Sequence, residues 1–327
     1  MRFDQSKLNK ATRWRLVRPA ILLLLTVLLF SYVSYAWLNR QWTPSIKQDG
    51  ITISTSSSLV FLLDKGDTTT SMRIDQVLGL DKDFVLRPVS NASGESQDFV
   101  TLNMAGEAKD YHYQHITPPQ TSAVPDYSQL GIENGYIEFN MALGSVDTAA
   151  SKQYIYLHHD SRIAFHGDAT SELSRVVNCI RISLTIRSGS ESISEKTYIF
   201  VPDTVATTAH MGVDPEMDGV KYFEAGTEDK KATLHEGKPI EVNPPNTTVV
   251  KHLKDCMAGR AVDANGEETF SPTSDNTLFT LEVDPDTSAP VWITVRIWAE
   301  GTDANCDDQI AGQQIDLMLK FAAIEAQ

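Results

Sequence analysis

The fold is decided by two stretches near the C-terminus, VWITVRIWAE (Val291–Glu300) and QIDLMLKFAAI (residues 314–324). In the second stretch every other residue is large and apolar, namely Ile315, Leu317, Leu319 and Phe321. Successive side chains of a strand point to opposite faces, so this period of two predicts a strand with one buried and one exposed face. Both stretches therefore predict long strands, the second of them half-buried and antiparallel.

Shorter segments with strand character lie upstream: residues 50–57 (GITISTSS), 135–143 (GYIEFNMAL), 176–187 (VVNCIRISLTIR) and 196–201 (KTYIFV). Helical signals are few. Repeated short strands separated by turn residues predict an all-β protein built as a β-sandwich. Two stretches, near residues 81–125 and 211–245, lack the pattern and are interpreted as loop insertions in one domain. Two stacked sandwiches that meet at Val201 to Pro215 are the alternative.

Charge divides the chain into two parts. The 327 residues contain 28 basic and 43 acidic side chains, and seven of the basic ones but only one acid lie in residues 1–40. The remaining 21 basic and 42 acidic side chains give residues 41–327 a formal charge of -21. Phosphate binding requires a basic face, so this balance argues against nucleic acid as a partner.

An apolar segment marks the border between the two charge regimes. Residues 19–39 (PAILLLLTVLLFSYVSYAWLN) contain no Asp, Glu, Lys or Arg and are long enough to cross a hydrocarbon core of about 30 Å. The excess of basic residues before the segment predicts a cytoplasmic tail (1–18), a membrane helix (19–39) and an extracellular domain (40–327). A signal peptide cleaved after Ala36 is the alternative, and it predicts a secreted or surface-bound protein.

Three cysteines allow at most one intramolecular disulfide. Cys256 and Cys306 lie in polar surroundings and are the candidate pair for an oxidising compartment. Cys179 lies in an apolar run and is interpreted as a buried small hydrophobe, and whether it is free stays open.

Metal-binding signals are weak. No HExxH or CxxC motif occurs. His112 and His115, and a second group formed by His158, His159 and His166 near Asp160 and Asp168, could supply ligands. His158 and His159 are adjacent, however, and on a strand they would point to opposite faces.

The spacing of Asp214, Glu216 and Asp218 is that of the start of a calcium loop. The glutamate expected at position 12 of such a loop is replaced by Ala225. A calcium loop of the EF-hand type is therefore not expected at Asp214, and we expect no cofactor other than, at most, calcium. Two other acidic groups, Asp284 with Asp286 and Asp303 with Asp307 and Asp308, are further calcium candidates or solvated acidic turns.

Two tryptophans form a candidate binding surface. Trp292 and Trp298 lie six residues apart on one predicted strand and hence on one face, which suits a peptide or glycan partner if that face is exposed. If an insertion covers the face, the two side chains are instead a second layer of core.

The junction SYVSYAWLNRQWTPSIKQDGITIST (residues 31–55) resembles the export junction of the TasA and camelysin group of Gram-positive surface proteins. Residues 180–184, 198–203 and 295–306 are similar to segments of exported clostridial proteins. The resemblance implies a jelly-roll-like β-sandwich at the cell surface or in the extracellular matrix. It also implies fibre assembly through donated strands, as in TasA-type members. The metallopeptidase class of camelysin-type members lacks support here, because the zinc-binding helix motif is absent.

These observations predict a non-enzymatic surface or matrix protein with a structural or adhesive role, held at the membrane by its N-terminal helix and self-associating or binding a surface protein or glycan. Two alternatives remain open. One is a surface hydrolase with a carboxylate-lined site, and the other is a lectin-like module that binds glycans or peptides.

Overall fold

A computed structural model places most of the strand-forming part of the chain. It describes residues 45–56, 58–62, 67–73, 84–91, 93–95, 98–103, 112–116, 135–146, 151–168, 172–188, 196–204, 222–224, 233–235, 248–257, 259–262, 268–271, 276–283, 290–303, 305–306 and 312–325. Trp42–Gln327 forms one compact unit. The apolar segment 19–39 lies outside the described residues, and no helix within the described ranges has the length and hydropathy to cross a bilayer.

Within these ranges, one sheet has seven strands. They are β1 (Ser45–Thr55), β4 (Ser71–Arg73), β5 (Phe84–Val85), β10 (Ser151–Leu157), β11 (Arg162–Phe165), β19 (Phe279–Val283) and β21 (Gln314–Glu325). Their order is β19-β10-β21-β1-β4, with β11 also pairing with β21 and β5 with β1. The first and last strands, β1 and β21, run parallel, whereas β10 and β11 are antiparallel to β21.

The second sheet has ten strands in the described part of the chain. They are β2 (Leu59–Leu62), β3 (Thr68–Thr69), β6 (Pro88–Asn91), β7 (Phe99–Asn103), β8 (His112–His115), β9 (Ile137–Ser145), β12 (Ile180–Ser188), β13 (Lys196–Val201), β16 (Thr248–His252) and β20 (Val291–Glu300). Strand β20 is central: it is antiparallel to β12 on one side and to β9 on the other, and its last residues pair with β6.

Smaller elements complete the described structure. Two hairpins are formed by β14 (Tyr222–Glu224) with β15 (Thr233–His235), and by β17 (Gly259–Val262) with β18 (Glu268–Ser271). Short 3₁₀ helices span Glu172–Cys179 and Leu253–Cys256.

The apolar faces of the two sheets share one hydrophobic cluster. Leu317 and Leu319 of β21 and Ile53 of β1 are buried in it together with Ile293 and Val295 of β20. The prediction of a mainly β protein is confirmed, including the long strands at both quoted C-terminal stretches. The sheets are mixed rather than antiparallel, because β1 and β6 each join a neighbour in parallel.

The stretch interpreted as the first insertion contains strands β5 to β8. Part of it covers the outer face of the second sheet, where a smaller cluster consists of Val89, Phe99, Ile116, Tyr136, Ile199 and Trp298. The rings of Phe99 and Tyr136 stack with centroids 3.8 Å apart. The central strands of this sheet are therefore buried on both faces.

Gly94 lies between β6 and β7, in the part of the chain that covers the sheet, which we call the covering segment. It contacts the sheet directly. Its φ of +78° lies in the left-handed region, which residues with a Cβ rarely adopt. A Cβ there would meet side-chain carbons of Ser183, Thr197 and Ile199 at 3.0 Å. The Gly94 carbonyl accepts hydrogen bonds from Ser183 Oγ at 2.9 Å and from Arg296 Nη1 at 3.0 Å. The close approach of this backbone to the sheet therefore requires glycine.

Gly94→Ala is expected to lower the free energy of unfolding by about 3 kcal/mol, because left-handed strain and overpacking add. Gly312→Ala is the matched control, since Gly312 also has a left-handed φ, +74°, but no atom lies within 4 Å of its added Cβ. We expect a loss of about 1 kcal/mol there, from strain alone. Denaturant unfolding of both variants measures the difference, and equal losses would contradict the close packing of Gly94.

Candidate functional site

A group of two histidines and an aspartate follows the C-terminal end of β10. His158, His159 and Asp160 are the one group of potential metal ligands found in the described ranges. Opposite faces are expected for the two histidines only if a strand runs through both, and the structure does not meet that condition. Strand β10 ends at Leu157, and a turn begins in which Ser161 N donates to the carbonyl of His158 at 2.9 Å. The strand alternation stops there, so the two imidazole rings lie with centroids 3.9 Å apart.

The potential ligand atoms of this group are close together. Asp160 Oδ2 lies 3.1 Å from His158 Nδ1, and Asp160 Oδ1 lies 3.4 Å from His159 Nε2. One ligand atom from each of the three residues can be chosen so that all lie within 4.8 Å of one another. Tetrahedral zinc at its usual bond lengths separates its ligands by roughly 3.3 Å. The three ligand atoms would therefore have to move slightly closer together to bind a divalent cation that accepts imidazole and carboxylate.

Lys320 already neutralises the carboxylate of this group. Its Nζ lies 2.8 Å from Asp160 Oδ2. The hydrogen bond from Lys320, together with the nearby His158 and His159, holds the pKa of Asp160 below its ordinary value. The turn is thus electrostatically satisfied by an ammonium group, and a metal ion would compete with that group for Asp160.

His166 does not join this group, although the sequence placed it nearby. Its Nδ1 lies 2.8 Å from Asp316 Oδ2. Asp316 and Lys320 are four residues apart on β21, a distance of about 13 Å along the strand. Asp168 and His115 are exposed and lie outside the His158 group. The candidate calcium ligands Asp214, Glu216 and Asp218 lie outside the described residues.

Of the two alternatives for the tryptophan face, an exposed strip or a covered second layer of core, the structure shows the covered one at Trp298. That side chain is fully buried, packs edge-on against Phe99 with centroids 5.4 Å apart, and donates from Nε1 to Glu300 Oε2 at 3.0 Å. Trp292 is half-buried. The segment containing β6 and β7 covers Trp298, which makes it second-layer core, the alternative given by the sequence.

The predicted disulfide between Cys256 and Cys306 is not present: all three cysteines are free thiols in the structure, and these two have different surroundings. Cys256 follows β16, which is separated from β20 by β13 and β12, whereas Cys306 follows β20. Burial raises the pKa of the Cys256 thiol to about 11, and its charged neighbours are Lys251, Asp255 and Lys196. Cys306 instead contacts Cys179.

A buried polar layer on the outer face of the second sheet was missed by sequence reasoning. Arg296 Nε donates to Glu138 Oε2 at 2.7 Å, and Arg296 Nη1 donates to Thr185 Oγ1 at 2.7 Å. Arg181 Nη2 donates to Asp303 Oδ2 at 2.7 Å. Each of these charged groups is nearly or fully inaccessible. The sequence does contain charged residues inside apolar strands, as in VWITVRIWAE, and these indicate buried charges. Which charges pair depends on the register between neighbouring strands, which the sequence does not show.

Glu300 is the third buried carboxylate of this layer. It is fully inaccessible, and its oxygens accept hydrogen bonds from Trp298 Nε1 and from the Thr302 hydroxyl at 2.7 Å. Burial raises its pKa above the ordinary value, while these hydrogen bonds and Arg181 act in the opposite direction. The carboxylates of this layer are buried in ion pairs with arginines or in hydrogen bonds, so they are not positioned to meet a substrate.

Comparison of the chain with models of known protein families, with curated proteins and with solved structures finds no match.

Removing the ammonium group beside Asp160 is expected to strengthen metal binding. Lys320→Met should raise the affinity for Zn²⁺ about fivefold, because repulsion of a cation by a half-exposed lysine costs roughly 1 kcal/mol. Isothermal titration with zinc alone measures this change. Lys152→Met removes the same charge from an exposed position on β10 and serves as the control. Equal affinities in the two variants would show that Lys320 does not compete for the carboxylate.

The raised pKa of Glu300 predicts that the free energy of unfolding depends on pH. Its folded-state pKa is raised, so the native state binds the proton more tightly than the unfolded state. Stability is therefore greatest below the unfolded pKa and falls, by up to about 1.4 kcal/mol per pH unit, as the pH rises towards the folded pKa.

The Glu300→Gln variant should lack this component of the slope. Its absolute stability is expected to fall as well, because the amide nitrogen would face groups that now donate to a carboxylate. Denaturant unfolding across a pH series measures both effects. Glu282→Gln removes an exposed carboxylate from β19 and should keep the native slope. An unchanged slope in Glu300→Gln would contradict the assignment.

Proposed function

We propose that this chain is a non-enzymatic protein of the bacterial cell surface or extracellular matrix, with a structural or adhesive role, that assembles through β-strand pairing. In this proposal residues 19–39 anchor the chain in the membrane or direct its export with cleavage after Ala36. The acidic part that follows is a jelly-roll-like β-sandwich outside the cell, of the kind that the resemblance to TasA-like proteins implies.

The position of β1 is the observation that carries this proposal. β1 is the first strand after the apolar segment, and it lies within the first sheet between β21 and β4. Its partner β21 is the last strand of the chain, and the two run parallel. No tight hairpin is involved in a parallel pair, so a β1 from another copy could make the same backbone hydrogen bonds.

The first sheet is stable only when a β1 strand occupies the position beside β21. Ile51 and Ile53 are fully buried, and they pair with Leu317 and Leu319 of β21. If β1 of one copy moved to a neighbour, the copy it left would expose Leu317 and Leu319 and the open edge of β21, which is unfavourable. Acceptance of another copy's β1 would remove both costs. Strand exchange can therefore link copies without weakening any one of them.

The alternatives have less support in the described structure. A hydrolase requires accessible carboxylates or histidines in a cleft, and Glu138, Glu300 and Asp303 are buried in ion pairs or hydrogen bonds. The lectin-like alternative required an exposed pair of tryptophans, of which Trp298 is covered.

A crosslink between β1 and β21 tests the exchange directly. Thr52 and Met318 are paired residues and both are half-buried. Paired positions on neighbouring strands lie within the Cα separation that a disulfide spans. In the variant Thr52→Cys with Met318→Cys, assembled material that exchanges strands should run as a ladder of covalent multimers on a non-reducing gel.

The variants Thr52→Cys alone and Met318→Cys alone, which keep the three native cysteines, are the matched controls, and neither should form the ladder. Crosslinked chains that run only as monomers, in samples where electron microscopy shows assemblies, would exclude β1 exchange as the basis of assembly. Monodisperse monomers with and without calcium would contradict assembly itself.

A further inference from the structure

Two thiols that are distant in sequence meet at one end of the central strands. Cys179 is the last residue of the 3₁₀ helix before β12, its side chain is fully buried, and its Sγ donates to the carbonyl of Val176 at 3.0 Å. Cys306 packs against the same hydrophobic cluster that contains Cys179. The two side chains are joined by a hydrogen bond between their sulfurs.

The chain after β20 turns back to bring Cys306 to this position. Asp303 N donates to the carbonyl of Glu300 at 3.1 Å, and Cys306 N donates to the carbonyl of Asp303 at 2.9 Å. The side chain of Asp303 also accepts from the backbone N–H of Asn305 at 2.9 Å. Two tight turns in succession thus return the chain towards the start of β12, since Ile180 pairs with Ala299.

Arg181 holds the two cysteine-bearing segments together. Its Nη1 donates to the carbonyl of Asn178 at 2.6 Å, next to Cys179, and its Nη2 donates to Asp303 Oδ2 at 2.7 Å, three residues before Cys306. The guanidinium group is fully buried, so this double contact is shielded from solvent. The relative placement of the two thiols therefore does not depend on a bond between the sulfurs.

We propose that Cys179 and Cys306 form a disulfide bond in the exported protein and that Cys256 stays a free, buried thiol. The oxidant is a disulfide of the export compartment, such as the active-site disulfide of a thiol oxidoreductase or oxidised glutathione. One cysteine thiolate attacks it to give a mixed disulfide, and the second displaces the remaining thiol. Two protein thiols become one disulfide while the oxidant is reduced to two thiols.

The environment of the pair sets when the bond forms. The hydrogen bond that the Cys306 thiol donates to Cys179 and burial both raise the pKa of Cys306, which keeps the folded thiol protonated and slow to react. The bond consequently forms while the chain is folding, and burial then shelters it from reductants. This staple between the start of β12 and the end of β20 rests on the proposed export, because it needs an oxidising compartment, but it does not depend on the proposed assembly.

Thiol counting in the full chain tests the pairing. The reduced, unfolded chain is refolded in detergent with a mixture of reduced and oxidised glutathione, then denatured and alkylated without reduction. We expect one labelled cysteine, Cys256, and a chain lighter by two hydrogen atoms, whereas prior reduction should expose all three thiols. Three labelled cysteines without reduction, or a linked peptide pair that contains Cys256, would overturn the proposal.

Thermal unfolding of cysteine variants gives a second measurement. Reduction should lower the Tm of the unsubstituted chain and of Cys256→Ala by about 10 °C, because the bond closes a loop of more than a hundred residues. In Cys306→Ala and in Cys179→Ala, reductant should leave the Tm unchanged. A reduction-sensitive Tm in Cys306→Ala would overturn the pairing, and the thiol count requires no variant to fold. Both measurements are independent of strand exchange.

Discussion

Strand β20 carries charged side chains although it is buried on both faces, and the arrangement of the second sheet depends on their pairing. Arg296 and Glu300 point away from the main core into a layer that solvent does not reach. An unpaired ion there would cost several kcal/mol, so each needs a partner at hydrogen-bonding distance. The partners come from separate parts of the chain, namely Glu138 of β9, the Gly94 carbonyl, and Thr302 after β20. Their requirements restrict the register of β9 and the position of the covering segment together.

The covering segment follows from the same constraint. The carbonyl of Gly94 is an acceptor for Arg296, and it can approach only because position 94 lacks a Cβ. Thr248 Oγ1 donates to the carbonyl of Ser93 at 3.1 Å, which ties the segment to the edge strand β16 as well. The outer face of the second sheet is thereby closed by polar contacts. The first sheet differs, since Thr52 and Met318 on its outer face are half-buried and Asp160, Lys320 and the two histidines lie at its accessible end.

The two sheets accordingly suit different roles in the proposed surface protein. The second sheet, with its paired charges and the Cys179 and Cys306 thiols at one end, is the more constrained half of the unit. The first sheet contains β1, which pairs with β21, and in the proposed assembly the β1 strand of another copy would take the same place. The proposed strand donation needs a sheet that keeps its own pairing and a strand that a second copy can supply. The His158, His159 and Asp160 turn lies beside β21 and is satisfied by Lys320 without an ion.

The sequence by itself determined the features that depend on local pattern: the strands, from their period of two, and the division into a basic tail, an apolar segment and an acidic body. It did not determine which residues meet. Cys306 contacts Cys179 rather than Cys256. The rings of His158 and His159 lie together because β10 ends at Leu157, the residue before His158. Trp298 is covered by a segment about 200 residues upstream. Arg296 and Glu138 appear in the sequence as isolated charges in apolar strands. Only the tertiary structure paired them, because a buried charge is satisfied by sheet register and by packing between distant segments, and neither leaves a local signal.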